Sequence, residues 1–316
     1  MSIVRAGAPA RVPLATAGAI GWPAWLVALV LHLAPGIAVA GGWFALRADE
    51  LLPFYGICAL LVGSGWWLRS RGRQRASDIL EMSGLFYLAA AGTALTCTVS
   101  TALALPYADA HLAAADRALG FDWPAMFQLF HASPRAAHLL ARAYEILLWA
   151  PQMLIVLLIA GRLPLRAWRF LTGWLIGLLL TAIVYPFFPA IAAFHHYGLG
   201  PEMMTGTTAQ VSWNLPQIME DLRTGITRSL GAAQLTGVVT MPSFHAAGAI
   251  MLIHGYAALR WLRWPAVLIG GTIFVSAVPV GGHYLVDIIA GLGLALIAIV
   301  AADRILARLE PAPSSG

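Results

Sequence analysis

Long uninterrupted apolar runs set the elements that this sequence predicts. A run of about 20 apolar residues is long enough to cross the hydrocarbon core of a bilayer as one helix. Eight such runs occur, separated by polar or arginine-bearing segments. The pattern therefore predicts an all-α integral membrane protein with about eight transmembrane helices. Their approximate ranges are 22–46, 51–68, 79–105, 143–160, 170–190, 244–259, 265–281 and 284–302.

Two segments, 106–142 and 191–243, are too polar to span a membrane and too long to be simple turns. In the first segment we expect a short amphipathic helix that lies in the membrane interface. The second segment predicts irregular backbone, which is tolerated at membrane depth where it lines a cavity. We therefore expect a cavity at the ends of the last helices, covered by these two segments.

The composition agrees with a membrane protein, since 60% of the residues are hydrophobic and only 10% are charged. The net charge is +5, and all nineteen basic residues are arginine. In a membrane chain such an excess reflects the asymmetry of the loops, so it predicts no nucleic-acid partner. Cys58 and Cys97 lie inside apolar runs and indicate neither a disulfide nor a metal site.

The arginines are distributed unequally between the two sides of the predicted spans. Thirteen lie on one side, which the positive-inside rule makes cytoplasmic, together with both termini. The protein is therefore predicted to be a multi-pass protein of the cell (inner) membrane. The thirteen are Arg5, Arg11, Arg69, Arg71, Arg73, Arg75, Arg162, Arg166, Arg169, Arg260, Arg263, Arg304 and Arg308. The outer side carries Arg47, Arg117, Arg135, Arg142, Arg223 and Arg228.

Two short stretches on the outer side carry candidate chemistry, namely 242–245 (Pro-Ser-Phe-His) and 281–287 (Gly-Gly-His-Tyr-Leu-Val-Asp). Ionisable side chains at a membrane boundary are costly to dehydrate and mark functional sites by default. His283 and Asp287 are four residues apart, so in a helix they share one face and the carboxylate can hold the imidazole. A nucleophilic or basic histidine is oriented in this way.

The two stretches resemble the motifs of the type 2 phosphatidic acid phosphatase superfamily. This superfamily contains membrane lipid phosphatases and phosphotransferases and is related to the vanadium haloperoxidases. Its motifs P-S-x-H and S-R-x5-H-x3-D resemble residues 242–245 and 276–287. The resemblance covers about residues 79–302 and implies a six-helix core formed by predicted spans three to eight. It divides the chain into a two-helix extension with a basic cytoplasmic loop (1–78), a catalytic core (79–303) and a disordered cytoplasmic tail (304–316).

The resemblance implies a role for each residue of the two motifs. His283 is similar to the nucleophile that takes the phosphoryl group, Asp287 to the residue that orients it, and His245 to the acid that protonates the leaving oxygen. Ser243 donates a hydrogen bond to a phosphate oxygen or caps the following helix. Gly282 permits close approach of the backbone beside the nucleophile. No cofactor and no metal are implied.

The chain departs from the family where phosphate-binding cations are expected. The first family motif, K-x6-R-P, is absent because the chain has no lysine, and Ala277 stands where the third motif carries arginine. Arg223, and after it Arg228, are the candidates to supply the missing charge, unless they are solvated. His195 and His196 either contribute to substrate binding or lie in the interface.

These observations predict an enzyme that cleaves or transfers a phosphoryl group on a membrane lipid, at the extracytoplasmic face, through a phosphohistidine. A looser resemblance to the inositol phosphorylceramide synthase subgroup favours transfer of a headgroup phosphate onto a ceramide or diacylglycerol acceptor. Two other classes stay open. One is a metal-dependent hydrolase, in which His245, His283 and Asp287 form a facial triad for a metal ion. The other is a non-catalytic lipid-binding or transport protein, in which the cavity serves as a path. Neither the lipid nor the oligomeric state follows from the sequence.

Overall fold

The computed structural model describes residues 14–199 and 210–309. Arg5, Arg11 and residues 310–316 of the predicted tail lie outside these ranges. Within them the helices are α1 (Leu14–Val30), α2 (Leu33–Ala40), α3 (Ala48–Ser70), α4 (Gln74–Thr101), α5 (Asp109–Ala118), α6 (Trp123–His131), α7 (Pro134–Ile146), α8 (Ala150–Ala160), α9 (Pro164–Val184), α10 (Ala193–His196), α11 (Gln210–Thr224), α12 (Phe244–Tyr256), α13 (Arg263–Ser276) and α14 (Leu285–Ala307). The last helix thus includes the start of the predicted tail.

Several of these helices are long and apolar enough to cross a membrane, as the hydrophobic pattern predicted. Within the described ranges there are five, at Ile20–Ala40, Ala48–Ser70, Gln74–Thr101, Pro164–Phe187 and Leu285–Ala307. The pair α7 and α8, bent by 54°, makes a sixth if it counts as one span. The predicted count of eight is therefore not confirmed. The difference lies in α12 and α13, whose 13 and 14 residues extend only about 20 Å.

The two polar segments 106–142 and 191–243 are called the outer segments, after the side on which the sequence places them. They contain more regular structure than the sequence pattern predicted. Segment 106–142 holds α5, α6 and most of α7 instead of a single short helix. Segment 191–243 holds α10 and α11, followed by a two-residue strand, β2 (Ser229–Leu230), which pairs in parallel with β1 (Ala45–Leu46). This pairing is a small exception to the all-α prediction, and it ties the chain between α2 and α3 to the outer segment.

Close packing between α12 and α14 brings the two predicted motifs together. The backbone N–H of Ser243 donates to the carbonyl of Asp287 at 3.1 Å, which joins the starts of the two helices. One turn further on, a Cβ at Gly291 would collide with the Ser243 carbonyl oxygen. A glycine at 291 is therefore what allows α14 to approach α12 at this level.

Candidate active site

His283 and Asp287 form a buried pair at the start of α14. The His283 side chain is 3% exposed and that of Asp287 is fully buried, with 3.5 Å between Nδ1 and Oδ2. His283 lies two residues before the helix begins, so the pair forms around the helix start and not on one helix face, as the i, i+4 spacing had suggested. Asp287 also accepts the backbone N–H of Tyr284 on Oδ2 at 2.9 Å, which caps the helix.

The His283–Asp287 pair contains polar atoms that make no hydrogen bond. The separation of 3.5 Å exceeds the usual length of an N–H···O hydrogen bond. Nδ1 of His283 and Oδ1 of Asp287 are both buried without a partner in the described part of the chain. Buried polar atoms are normally paired, so such atoms point to a function. With Nδ1 on the side of Asp287, Nε2 is the ring nitrogen available for chemistry.

His245 lies in the first turn of α12 and faces the same site. Its ring centroid is 6.3 Å from that of His283. On its other side the ring stacks on Tyr144 of α7, with centroids 3.7 Å apart and planes 12° apart. The structure therefore brings the two motif histidines together, as the sequence predicted. Tyr144, which the sequence analysis did not single out, fixes the plane of the His245 imidazole.

Ser243 caps α12, in agreement with one of the two roles considered for it. It is fully buried. Its Oγ accepts the backbone N–H of Ala246 at 3.3 Å. This bond uses a lone pair of the oxygen and leaves the hydroxyl proton for another acceptor. Capping the helix and donating to a phosphate oxygen are thus compatible in this geometry.

Gly282 makes the tight turn that presents His283. Its φ of +68° lies in the left-handed region that favours glycine. A Cβ at this position would also collide with the ring of Phe194, which packs directly beneath it. The Gly282 carbonyl accepts the backbone N–H of Ala193 at 2.7 Å. The outer segment that contains α10 is therefore seated on the backbone next to the candidate nucleophile.

The same contact places His195 and His196 beside the site. His196 packs its ring against that of Tyr284 at a centroid distance of 6.2 Å. His195 meets the ring of Phe194 edge-on at 4.8 Å. Both histidines are therefore in the layer of side chains next to the His283 loop, where their rings contact aromatic neighbours.

Two aspartates of α5 hold the start of α14 from outside, and the sequence analysis did not assign them a role. Asp116 accepts the backbone N–H groups of Leu285 and Val286 at 2.9 and 3.0 Å. Asp109 accepts the hydroxyl of Tyr284 at 2.9 Å. Burial raises the pKa of both carboxyls, and these hydrogen bonds partly offset the increase. Asp109 and Asp116 are seven residues, or two helical turns, apart, and this spacing could have indicated from the sequence that they act on the same neighbour.

Arg223 and Arg228, the predicted sources of positive charge, are engaged elsewhere. Arg223 donates Nη1 to the backbone carbonyl of Leu105 at 2.7 Å and lies over the ring of Tyr107 at 4.1 Å. Arg228 lies over the ring of Phe44 at 5.5 Å. These contacts anchor the outer segment to the ends of other helices. The geometry therefore gives no support to the expectation that they bind phosphate.

Ala277, at the position of the family arginine, is fully buried. Its side chain packs with Ala246 and Ile288 in a small apolar cluster. A long cationic side chain would have to displace this packing, so the departure from the motif is part of the fold. Among the described residues, no group of three histidine, cysteine, aspartate or glutamate side chains is placed to hold a metal ion.

Comparison with known proteins gives one match. A family model described as the PAP2 superfamily matches residues 110–301, which include both histidine motifs and Asp116 of α5. No curated protein matches the chain, and no solved structure matches it.

Proposed function

Because the chain belongs to the PAP2 superfamily, whose members are phosphatases or phosphotransferases, we propose that it cleaves or transfers the phosphoryl group of a membrane lipid at His283. The observation that carries this proposal is the arrangement of three groups at the starts of α12 and α14. His245 and His283 face each other, and Asp287 lies behind His283. The family match supports activity on lipid phosphates in general. The roles of His283, His245 and Asp287 are part of the proposal.

In the first step Nε2 of His283 attacks phosphorus and the bond from phosphorus to the lipid oxygen breaks. Burial lowers the pKa of His245 to about 3, so the ring receives a proton from the phosphate monoester as the substrate binds. His245 then gives this proton to the lipid oxygen, and the lipid leaves as a neutral alcohol. Asp287 holds the Nδ1–H of His283 and stabilises the positive charge that develops on the ring. In the second step a water molecule attacks the phosphohistidine, His245 takes its proton, and phosphate leaves. The covalent intermediate divides one difficult displacement into two easier ones.

We assign stabilisation of the phosphate oxygens to α12, since within the described ranges no arginine forms an ion pair with Asp287. The first amides of a helix are an anion-binding site. In α14 the amides of Leu285 and Val286 are already taken by Asp116. In α12 the N–H groups of Phe244 and His245 have no acceptor within residues 14–199 and 210–309. Together with the Ser243 hydroxyl they form the proposed phosphate cradle.

Trapping of the intermediate tests this function. Purified protein is mixed with phosphatidate labelled with ³²P in its phosphate and is quenched in base, where phosphohistidine survives. We expect a labelled protein and phosphate release, and neither in His283→Ala. Label retained in that variant, or turnover at the wild-type rate, would falsify the assignment. Phosphatidylglycerol phosphate and polyprenyl phosphates, tested in the same way, identify the lipid.

Transfer to an alcohol is the second candidate reaction. It uses the same phosphohistidine, with a ceramide or diacylglycerol hydroxyl replacing water in the second step. The looser resemblance to the synthase-like subgroup, which lacks the full first motif, favours it. Adding such an acceptor to the assay distinguishes the two, because transfer converts it to a phosphorylated product whereas hydrolysis does not.

Two further measurements separate the proposal from other classes. A metal hydrolase loses activity in a chelator, whereas the histidine mechanism is unaffected by chelation and is inhibited by vanadate, a mimic of the pentacoordinate phosphorus. A transport protein binds or moves the lipid without turnover. The asymmetry of the arginines supports an active site on the extracytoplasmic face of the inner membrane.

A further inference from the structure

A second polar cavity lies at the other end of the helices that carry the catalytic motifs. It has a volume of about 210 Å³ and lies between α9, α12 and α14. His254 lines it, nine residues or about 14 Å along α12 from His245. Asp303 lines it as well, sixteen residues or about 24 Å along α14 from Asp287. The cavity is therefore separate from the site already described.

Positive charge dominates the polar lining. Arg166 and Arg169, from the first two turns of α9, both line the cavity, against the single carboxylate of Asp303. Arg169 and Asp303 lie 3.9 Å apart, with side chains that are 32% and 45% exposed. An ion pair this long and this exposed contributes little to stability. The lining keeps a net charge of +1.

The rest of the lining is apolar, with Phe170, Met251 and Ile299 as its large members. A volume of 210 Å³ is smaller than the 300–1,000 Å³ typical of pockets for drug-sized ligands. It suits a headgroup phosphate whose acyl chains remain along the outside of the helices. Basic pockets between membrane helices on the cytoplasmic side are typical sites for anionic lipid headgroups. Arg166 and Arg169 belong to the arginines that the positive-inside rule places on that side.

We propose that this cavity binds a phosphate group, carried by an anionic phospholipid or free in solution, on the side of the membrane opposite to His245 and His283. The guanidinium groups of Arg166 and Arg169 bind its oxygens, because arginine presents paired N–H donors that match phosphate geometry. The apolar lining favours the phospholipid over the free ion. This site is independent of the reaction proposed above, so it stands even if His283 is not a nucleophile.

Native mass spectrometry tests the proposal. Protein is released from micelles that contain phosphatidylglycerol, diacylglycerol with the same chains, or inorganic phosphate, and the bound molecules are counted. We expect Arg166→Gln/Arg169→Gln to retain one phosphatidylglycerol fewer than the unchanged protein. Arg260→Gln/Arg263→Gln removes the same charge from exposed positions outside the cavity and should retain the original number. If inorganic phosphate shows the same loss, the free ion is a ligand too.

Equal retention by the two double variants would overturn the proposal, as would retention of diacylglycerol equal to that of phosphatidylglycerol. Because loss of Arg169 also removes its contact with Asp303, the double variant is checked by circular dichroism and gel filtration. Arg166→Gln alone keeps the test valid if the double variant misfolds, since Arg166 is exposed. In this single variant we expect phosphatidylglycerol to be retained several-fold less than in the unchanged protein, and unchanged retention contradicts the proposed site.

Discussion

Trp123 donates its indole N–H to the backbone carbonyl of His283 at 3.0 Å. The indole is fully buried and stacks between Phe127, at 5.4 Å, and Tyr197, at 5.8 Å. An outer helix, α6, thereby fixes the backbone of the proposed nucleophile. The position of the His283 backbone therefore depends on a segment that the hydrophobic pattern placed only in the membrane interface.

Replacing Trp123 with phenylalanine keeps a ring in the aromatic stack but removes the donor. The His283 carbonyl then lacks this partner, and an unsatisfied buried group costs about 1–3 kcal/mol. We expect a lower melting temperature and a fall in kcat that exceeds the change in KM, because the nucleophile is less well placed. Trp261→Phe, at a position that is 83% exposed, is the control and should change neither. An unchanged kcat in Trp123→Phe would show that this contact does not position His283.

Asp116→Asn tests the carboxylate that caps α14 from α5. Each carboxylate oxygen accepts one backbone N–H. Asparagine retains a single acceptor and turns an N–H₂ group toward the second donor. We expect a loss of stability of about 1–3 kcal/mol and reduced turnover. Asp122→Asn serves as the comparison, because Asp122 caps α6 through Ala125 and asparagine is an equally good N-cap. Similar effects of both changes on kcat would contradict the role of Asp116 in holding the start of α14.

Asp287→Asn preserves the size of the side chain and an oxygen for the Tyr284 N–H, but removes the negative charge behind His283. The wrong histidine tautomer and the unstabilised imidazolium should lower kcat by roughly a hundredfold to ten-thousandfold. Asp49→Asn, an exposed acid at the start of α3, is the matched control. Rates within a few-fold of the unchanged enzyme would rule out Asp287 as the residue that orients the nucleophile.

His245→Gln should affect substrates according to their leaving groups. A lipid alcohol is a poor leaving group and requires the proton that His245 donates in the proposed first step. The nitrophenolate group of a nitrophenyl phosphate leaves without protonation. We therefore expect the ratio of the two rates to shift by at least tenfold in favour of the nitrophenyl ester. An equal loss on both substrates would mean that His245 has a role other than the leaving-group acid. Tyr144→Leu, which removes the stacking partner, should shift the ratio in the same direction but less.

Arg223→Ala is expected to reduce stability more than catalysis. Its guanidinium donates to the carbonyls of Leu105 and Ala104, close behind the end of α4, and covers the Tyr107 ring. Loss of these contacts should lower the melting temperature, with kcat/KM changed only a few-fold. Loss of one phosphate ligand would instead cost on the order of a hundredfold or more in rate. A hundredfold drop at an unchanged melting temperature would restore Arg223 as a phosphate ligand. Arg117→Ala, at a position that the positive-inside rule predicts to be on the same side as Arg223, controls for the loss of charge.

Two kinds of prediction from the sequence agree with the structure. The long apolar runs correspond to helices, and the Pro-Ser-Phe-His and Gly-Gly-His motifs come together at the starts of α12 and α14. The number of spans was less well predicted, because α12 and α13 are shorter than the runs that contain them. Apolar residues continue after the end of each helix, at 257–259 after α12 and at 277–280 after α13, where the chain forms turns and bends instead of helix.

The sequence by itself determined the membrane class, the helical elements and the pair of motif histidines, since these depend on local properties. Apolar length decides whether a helix spans a bilayer, and a four-residue spacing keeps His283 near Asp287 once the chain between them turns into α14. Only the tertiary structure decided that Trp123 and Asp116 support the His283 loop and that Arg223 donates to the backbone carbonyls of Leu105 and Ala104. The partners of a buried carbonyl, amide or guanidinium group come from residues more than 100 positions away, and spacing along the chain carries no information about them.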